Sequence, residues 1–183
     1  MAIEQKELTQ ILYDILLSSK NGAAACSQDY CPNGMQVEGS SNIKNIITGV
    51  SASFDLVQEA IKQEADTIIV HHGYFWKNEP QVITGMKKRR IQALLEHDIN
   101  LYAYHLPLDI HPSLGNNVML AEHLGVFNKI KPSILTSPSG IVYQGNLGKP
   151  LSFDSLSGIL NEKLLHKPLG IQGHADLIKK VAW

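Results

Sequence analysis

Between residues 43 and 104 the hydrophobic period of the sequence changes four times, and this alternation constrains the fold more than any other feature. IKNIITGV has the β-branched character of a strand. FDLVQEAIKQEA then places Val57, Ala60, Ile61 and Glu64 at helical offsets. TIIV, residues 67–70, is a short apolar run of the kind found in strands covered on both faces. MKKRRIQALLEHD returns to helix and INLYAY to strand. Strand, helix, strand, helix, strand with short links predicts a layered α/β fold around a central, largely parallel sheet.

The flanks are read the same way. Leu8, Ile11, Leu12, Ile15 and Leu16 recur at helical spacing, and SSKNG after them is a helix stop. Residues 21 to about 41 are polar and glycine-bearing and are expected to form a loop. SLGNNVMLAEHLGV predicts a helix with Leu120, His123 and Leu124 on related faces. Residues 125–140, rich in Pro, Ser and Gly, read as a connection. GIVYQGNL follows as a strand. SFDSLSGILNEKLL follows as a helix with Leu156, Ile159, Leu160 and Leu164 turned inward.

Charge and composition narrow the functional classes. A formal net charge of −1 gives no global pull toward nucleic acid or anionic membrane, so neither is expected as a partner. No apolar run approaches the roughly 20 residues of a membrane span, and MAIEQKELTQ does not resemble a signal peptide; the expected location is the cytoplasm. Cys26 and Cys31 form one C-x4-C pair, at best half a zinc site, and are read as free thiols of a reducing compartment. The basic run at Lys87, Lys88, Arg89 and Arg90 is read as a solvated helix face. Phosphate-loop, dinucleotide-loop and nucleophile-elbow patterns are missing from the sequence.

Ligands of parallel α/β sheets collect at the carboxyl ends of the strands. The second strand delivers His71 and His72 to that edge, and the third delivers His105 followed by LPLD, ending on Asp109. Imidazole and carboxylate are ligands for zinc, iron, manganese and related ions. Adjacent strand residues point to opposite faces. The two histidines therefore share a pocket if the chain turns at Gly73, or each serves one ion of a pair. Asp109 is the expected carboxylate. Pro107 within His105-x3-Asp109 argues for an extended segment, with His105 orienting a ligand or transferring a proton. Tyr74, Phe75 and Trp76 either stack a flat substrate or pack in the core. His97 and His123 are read as surface helix residues, His111 is ambiguous, and His166 and His174 are isolated.

At these residues the sequence resembles a known family. DYCPNGMQVEG (29–39), GVSAS (49–53), VHHGYFWK (70–77) and YHLPLDIHPSLGNN (104–117) are similar, in order, to motifs of the Nif-three-like dinuclear-metal proteins, the GTP cyclohydrolase I type 2 homologues. The resemblance implies a Nif-three-like α/β fold with two lobes, here 1–125 carrying the metal site and 126–183 beginning the second. It implies a homo-oligomer, a hexameric ring, with two divalent ions (zinc, iron or manganese) held by His71, His72 and Asp109. It places His105 beside them as the candidate catalytic proton shuttle. The reaction implied is hydrolytic opening of the imidazole ring of GTP, or of a similar nucleotide-like small molecule, with release of formate. A non-enzymatic metal-stabilised scaffold or regulatory interaction protein is the alternative. The family pattern also carries a later H-x3-E pair that nothing in this sequence matches. The expectation is therefore a chain truncated at its C-terminus, with an incomplete second lobe and weakened metal retention.

Overall fold

The computed structural model describes residues 2–18, 29–132 and 141–183. It divides into two compact units, residues 1–108 and 109–183. The central sheet of the first unit is built from β4 (Ile46–Ser51), β5 (Thr67–His72) and β6 (Asn100–Ala103), parallel and adjacent. α2 (Phe54–Lys62) and α3 (Gly85–Glu96) make the two crossovers. This is the layered, mostly parallel arrangement that the alternating periods predict.

Alternate residues of these strands serve two cores, as period-2 geometry requires. Ile68, Val70, Leu101 and Ala103 face one core with Val57 and Ala60 of α2 and Ile91 and Leu94 of α3. Tyr102 and Tyr104 face the other with Leu8 of α1 (Gln5–Leu12) and Leu16 of the π-helical turn that continues it (Tyr13–Leu17). A buried polar knot fixes α1 to the sheet: Gln5 Nε2 donates to the Tyr102 hydroxyl at 3.1 Å, and Thr9 Oγ1 lies 2.7 Å from the same oxygen. Below it β1 (Ile3–Glu4) pairs antiparallel with β3 (Asn42–Ile43).

The segment expected as one loop holds a further strand. β2 (Gly34–Val37) pairs antiparallel with β6, giving the order β2-β6-β5-β4. Its four residues start on a glycine and are mostly half-buried, too short and too mixed for a period to declare itself. The orientation matters. Gly34 sits opposite Ala103, so an antiparallel β2 begins at the rim where the parallel strands finish, and residues 29–33 are delivered there. Cys31 is a buried free thiol, and Cys26 lies outside the described residues.

Two local expectations change. Gly73 does not take a left-handed turn; the positive φ falls on Phe75, at 64°. Gly73 is needed for space, since a Cβ there would press on the Gln36 side chain and come within 2.6 Å of Ala103 Cβ. The residues after His105 are not extended but form a helical turn, α4 (Leu106–Asp109). Pro107 fits because an N–H in a first helical turn has no intrahelical acceptor anyway.

In the second unit α5 (Asn116–Leu124) buries Val118, Ala121 and Leu124. The antiparallel sheet β7 (Phe127–Pro132), β8 (Tyr143–Leu151), β9 (Ile178–Ala182) has β8 at its centre. β7 thus occupies part of the expected connection; its alternation is interrupted by a register shift between Phe127 and Lys129. Phe127 and Trp183 stack at 4.7 Å. α6 (Phe153–Leu164) does not turn its apolar stripe into a core: none of its residues is buried and Leu164 is 44% exposed. No described helix is long and apolar enough to cross a membrane.

Asn100, fully buried, ties the base of the sheet together. Its Oδ1 accepts from Gly39 N at 2.9 Å, and Nδ2 donates to the carbonyls of Ser40 (2.8 Å) and Asp66 (3.1 Å). Truncation strands those groups without water. Asn100→Ala is expected to lower unfolding free energy by about 3 kcal/mol in urea titration, at the upper end for orphaned buried hydrogen-bonding groups.

Candidate metal centre

Three imidazoles meet at the carboxyl rim of the first sheet. Ring centroids of His71 and His72 are 4.4 Å apart, those of His71 and His105 5.1 Å, and those of His72 and His105 5.8 Å. One ring nitrogen from each lies within 4.8 Å of the other two. The adjacent pair converges although β5 remains paired through His72, which sits opposite Ser51. Strand side chains lean along the strand, so at its last two positions both rings reach past the ladder.

Each ring is held by a partner at Nδ1. His71 Nδ1 is 3.0 Å from the Tyr104 carbonyl, which can only accept. His72 Nδ1 is 3.1 Å from Ser51 Oγ, which can donate or accept. His105 Nδ1 is 2.6 Å from Asp29 Oδ1. An Nδ1–H given to a carbonyl or carboxylate puts the lone pair of a neutral ring on Nε2. This is how histidines are prepared for a metal, with the remote nitrogen fixed by a second partner. Imidazole nitrogens suit a borderline divalent transition ion better than magnesium or calcium, which prefer oxygen. The donor set therefore fits the ions that the sequence suggests.

Asp29 is the residue that sequence reasoning missed. Its side chain is fully buried, and its two oxygens receive four donors. Oδ1 takes Tyr30 N at 2.6 Å and the His105 ring, and Oδ2 takes Asn33 Nδ2 at 2.8 Å and Leu106 N at 2.9 Å. Burial alone would raise its pKa. The hydrogen bonds from Asn33, His105 and the two backbone amides outweigh that and hold it below the ordinary carboxylate value. The DYCPN spacing carried no periodic signal. Its one clue was an aspartate four residues before an asparagine at the end of a polar stretch.

Asp29, Cys31 and His105 also bring ligand-type atoms within 4.8 Å, but their chemistry argues against an ion there. The carboxylate is saturated by N–H donors. The Cys31 thiol is pushed up to about 12 by burial and by the charge of Asp29.

The aromatics take separate tasks. Tyr74 is buried, donating its hydroxyl to the Ala52 carbonyl at 3.0 Å. Trp76 donates Nε1 to the Gly73 carbonyl at 3.1 Å and sets its ring edge-on to His105, 5.0 Å between centroids. Lys87, from the basic run, secures this loop rather than standing free in solvent. It lies 3.6 Å from Glu79 and 5.0 Å from the Phe75 ring centre.

Asp109 Oδ1 accepts from Asn116 Nδ2 at 2.8 Å within the second unit. His111 is buried, its Nδ1 accepting from Leu114 N at 2.9 Å, as a turn-capping group would. His97 caps the end of α3 and His123 is exposed on α5, its Nε2 2.7 Å from the Lys163 carbonyl. Neither His166 nor His174 falls in a described ligand cluster.

The sequence model of the Duf34/NIF3 (NGG1p interacting factor 3) family matches residues 5–183. The chain is 49% identical over 158 residues to the GTP cyclohydrolase 1 type 2 homolog of Vibrio cholerae, covering 85% of this chain and 62% of that protein. To the protein of the same name from Escherichia coli K12 it is 46% identical over 172 residues, covering 92% and 66%. It thus spans a little under two thirds of these curated relatives. Among solved structures, protein ybgI, described as of unknown function, superposes with a TM-score of 0.87 at 42% identity, covering 99% of this chain and 69% of that one. TTHA1606 from Thermus thermophilus gives 0.81 at 32%, covering 97% and 68%.

Two outcomes follow from the geometry. In zinc-binding titrations, His71→Ala and His72→Ala bind zinc more weakly than the parent, whereas Cys31→Ala binds as the parent does; equal losses in all three would contradict the ligand assignment. Asp29 has a folded pKa held below its ordinary value, so its ionised form favours the folded state. That contribution is complete above the unfolded value of about 3.9 and is lost as pH falls through the folded one. An Asp29→Asn variant should show a shallower loss of stability on acidification, read by thermal melts between neutral pH and about pH 3.

Proposed function

This chain belongs to the Duf34/NIF3 family, and on that footing we propose that it carries residues of a metal-dependent hydrolase centre with two metal ions, acting on a nucleotide-like small molecule. The observation that carries the reading is the convergence of His71, His72 and His105, each with Nδ1 held from behind. His71 and His72 would hold a pair of divalent ions, with Asp109 as the carboxylate. Bound there, such ions supply Lewis acidity and lower the pKa of water.

The chain's own residues do the rest. The Tyr104 carbonyl and Ser51 keep the two metal-binding rings in place. In its neutral form His105, donating Nδ1–H to Asp29, presents Nε2 as the base that accepts a proton and returns it. Trp76 packs beside that ring in an edge-to-face arrangement. The substrate class comes from the relatives' name, GTP cyclohydrolase 1 type 2 homolog, and supports purine nucleotides such as GTP as the first to try. Assembly as a hexameric ring is part of the same proposal. The family description as an interacting factor favours a second reading, a metal-bearing scaffold without turnover.

Metal content and formate release from GTP separate these readings. The enzyme reading expects bound divalent metal and turnover. Asp109→Ala should lose both. His105→Ala should keep its metal and lose about 10²–10⁴-fold in rate, the usual range for removing a general acid–base. Full loading with no turnover on any purine nucleotide points to the scaffold. Failure to bind any divalent ion defeats both readings.

A further inference from the structure

The buried carboxylate behind His105 has a role that the metal reading leaves unassigned. Asp29 is 76 residues from His105 in sequence and reaches it only because β2 runs antiparallel to β6. We infer that Asp29 and Asn33 are positioning residues that lock His105 in the Nδ1–H tautomer and aim its Nε2 at His71 and His72. The inference rests on the proposed function only in giving that Nε2 a task; the lock itself is a property of the folded chain.

Four contacts make the lock. Asp29 Oδ1 accepts from the His105 ring and Oδ2 from Leu106 N, gripping the side chain and the next peptide. Asn33 Oδ1 accepts from His105 N at 2.7 Å, and Asn33 Nδ2 donates to Asp29 Oδ2. His105 is thus fixed at its ring, its own amide and the following amide by two side chains that also bind each other. All four donors around Asp29 are N–H groups, so the carboxylate is the only acceptor able to satisfy them together. An asparagine there would replace one acceptor oxygen by a donor. Facing the imidazole, its amide N–H would favour the opposite tautomer, with the proton on Nε2, while leaving the shape of the site nearly unchanged. A packing role alone would be insensitive to that exchange.

Histidine-selective ¹⁵N NMR of the metal-free protein at mildly alkaline pH reads the tautomer directly. In the unmodified protein His105 is expected to show a protonated Nδ1 with a slowly exchanging proton and an unprotonated Nε2. Asp29→Asn should lose that Nδ1–H signal and gain Nε2–H, and Asn33→Ala should speed exchange of the Nδ1 proton. His71, which gives its own Nδ1–H to the Tyr104 carbonyl, reports whether each variant remains folded. An Nε2–H tautomer for His105 in the unmodified protein overturns the inference, whatever the variants do. So does an unchanged His105 tautomer in a folded Asp29→Asn variant. A protein that shows the expected tautomer but binds no divalent ion keeps the inference and loses the proposed function.

Discussion

Everything at the site depends on the in-register parallel pairing of β4, β5 and β6 and on where it stops. The β5–β6 ladder ends with Tyr104 N donating to the Val70 carbonyl at 2.9 Å, and the β4–β5 ladder with Ala52 N donating to the His72 carbonyl at 2.8 Å. Beyond those bonds the ladder no longer keeps the side chains apart. His71 therefore takes the Tyr104 carbonyl on one side, and His72 takes Ser51 on the other. A slip of one residue would exchange the two faces of β5 and send Ile68 and Val70 out of their core, so burial holds the histidines in place as firmly as any direct contact.

The second constraint is a buried charge. Asp29 is ionised inside the protein because four N–H groups surround it, and those groups come from two stretches of chain: Tyr30 and Asn33 from one, the His105 ring and the Leu106 amide from the other. Such a network is worth having only when complete, since each missing donor leaves part of a desolvated charge unanswered. Burial raises the pKa of the Cys31 thiol, and the same charge adds to that. One carboxylate thus fixes a histidine and makes the 29–33 segment part of the rim.

Much of this was legible in the sequence. The alternation of periods gave the parallel core because its two crossover helices and β5 are long enough to repeat: α2 runs nine residues, α3 twelve and β5 six. The same argument placed His71, His72 and His105 on one rim. The missed features were those without a period. β2 has four residues and pairs with a strand more than sixty positions away, and Asp29 matters only through that pairing. Gly73 signalled a constraint, but sequence cannot separate a need for φ from a need for space. Pro107 argued against helix, yet its position in a first turn is one that helices tolerate. α6 shows the converse case, an apolar stripe that periodicity assigned inward and whose Leu156, Ile159 and Leu160 are only half-buried.

The central claim is that this rim holds divalent metal through imidazole nitrogens prepared from behind. The most direct measurement is anomalous diffraction from crystals of the protein grown with a divalent transition ion. The account predicts anomalous density at about 2.0–2.1 Å from Nε2 of His71 and of His72, with Nδ1 of His71 still bonded to the Tyr104 carbonyl. An ion seated between Asp29 and Cys31, or bound to His71 through Nδ1, would contradict it.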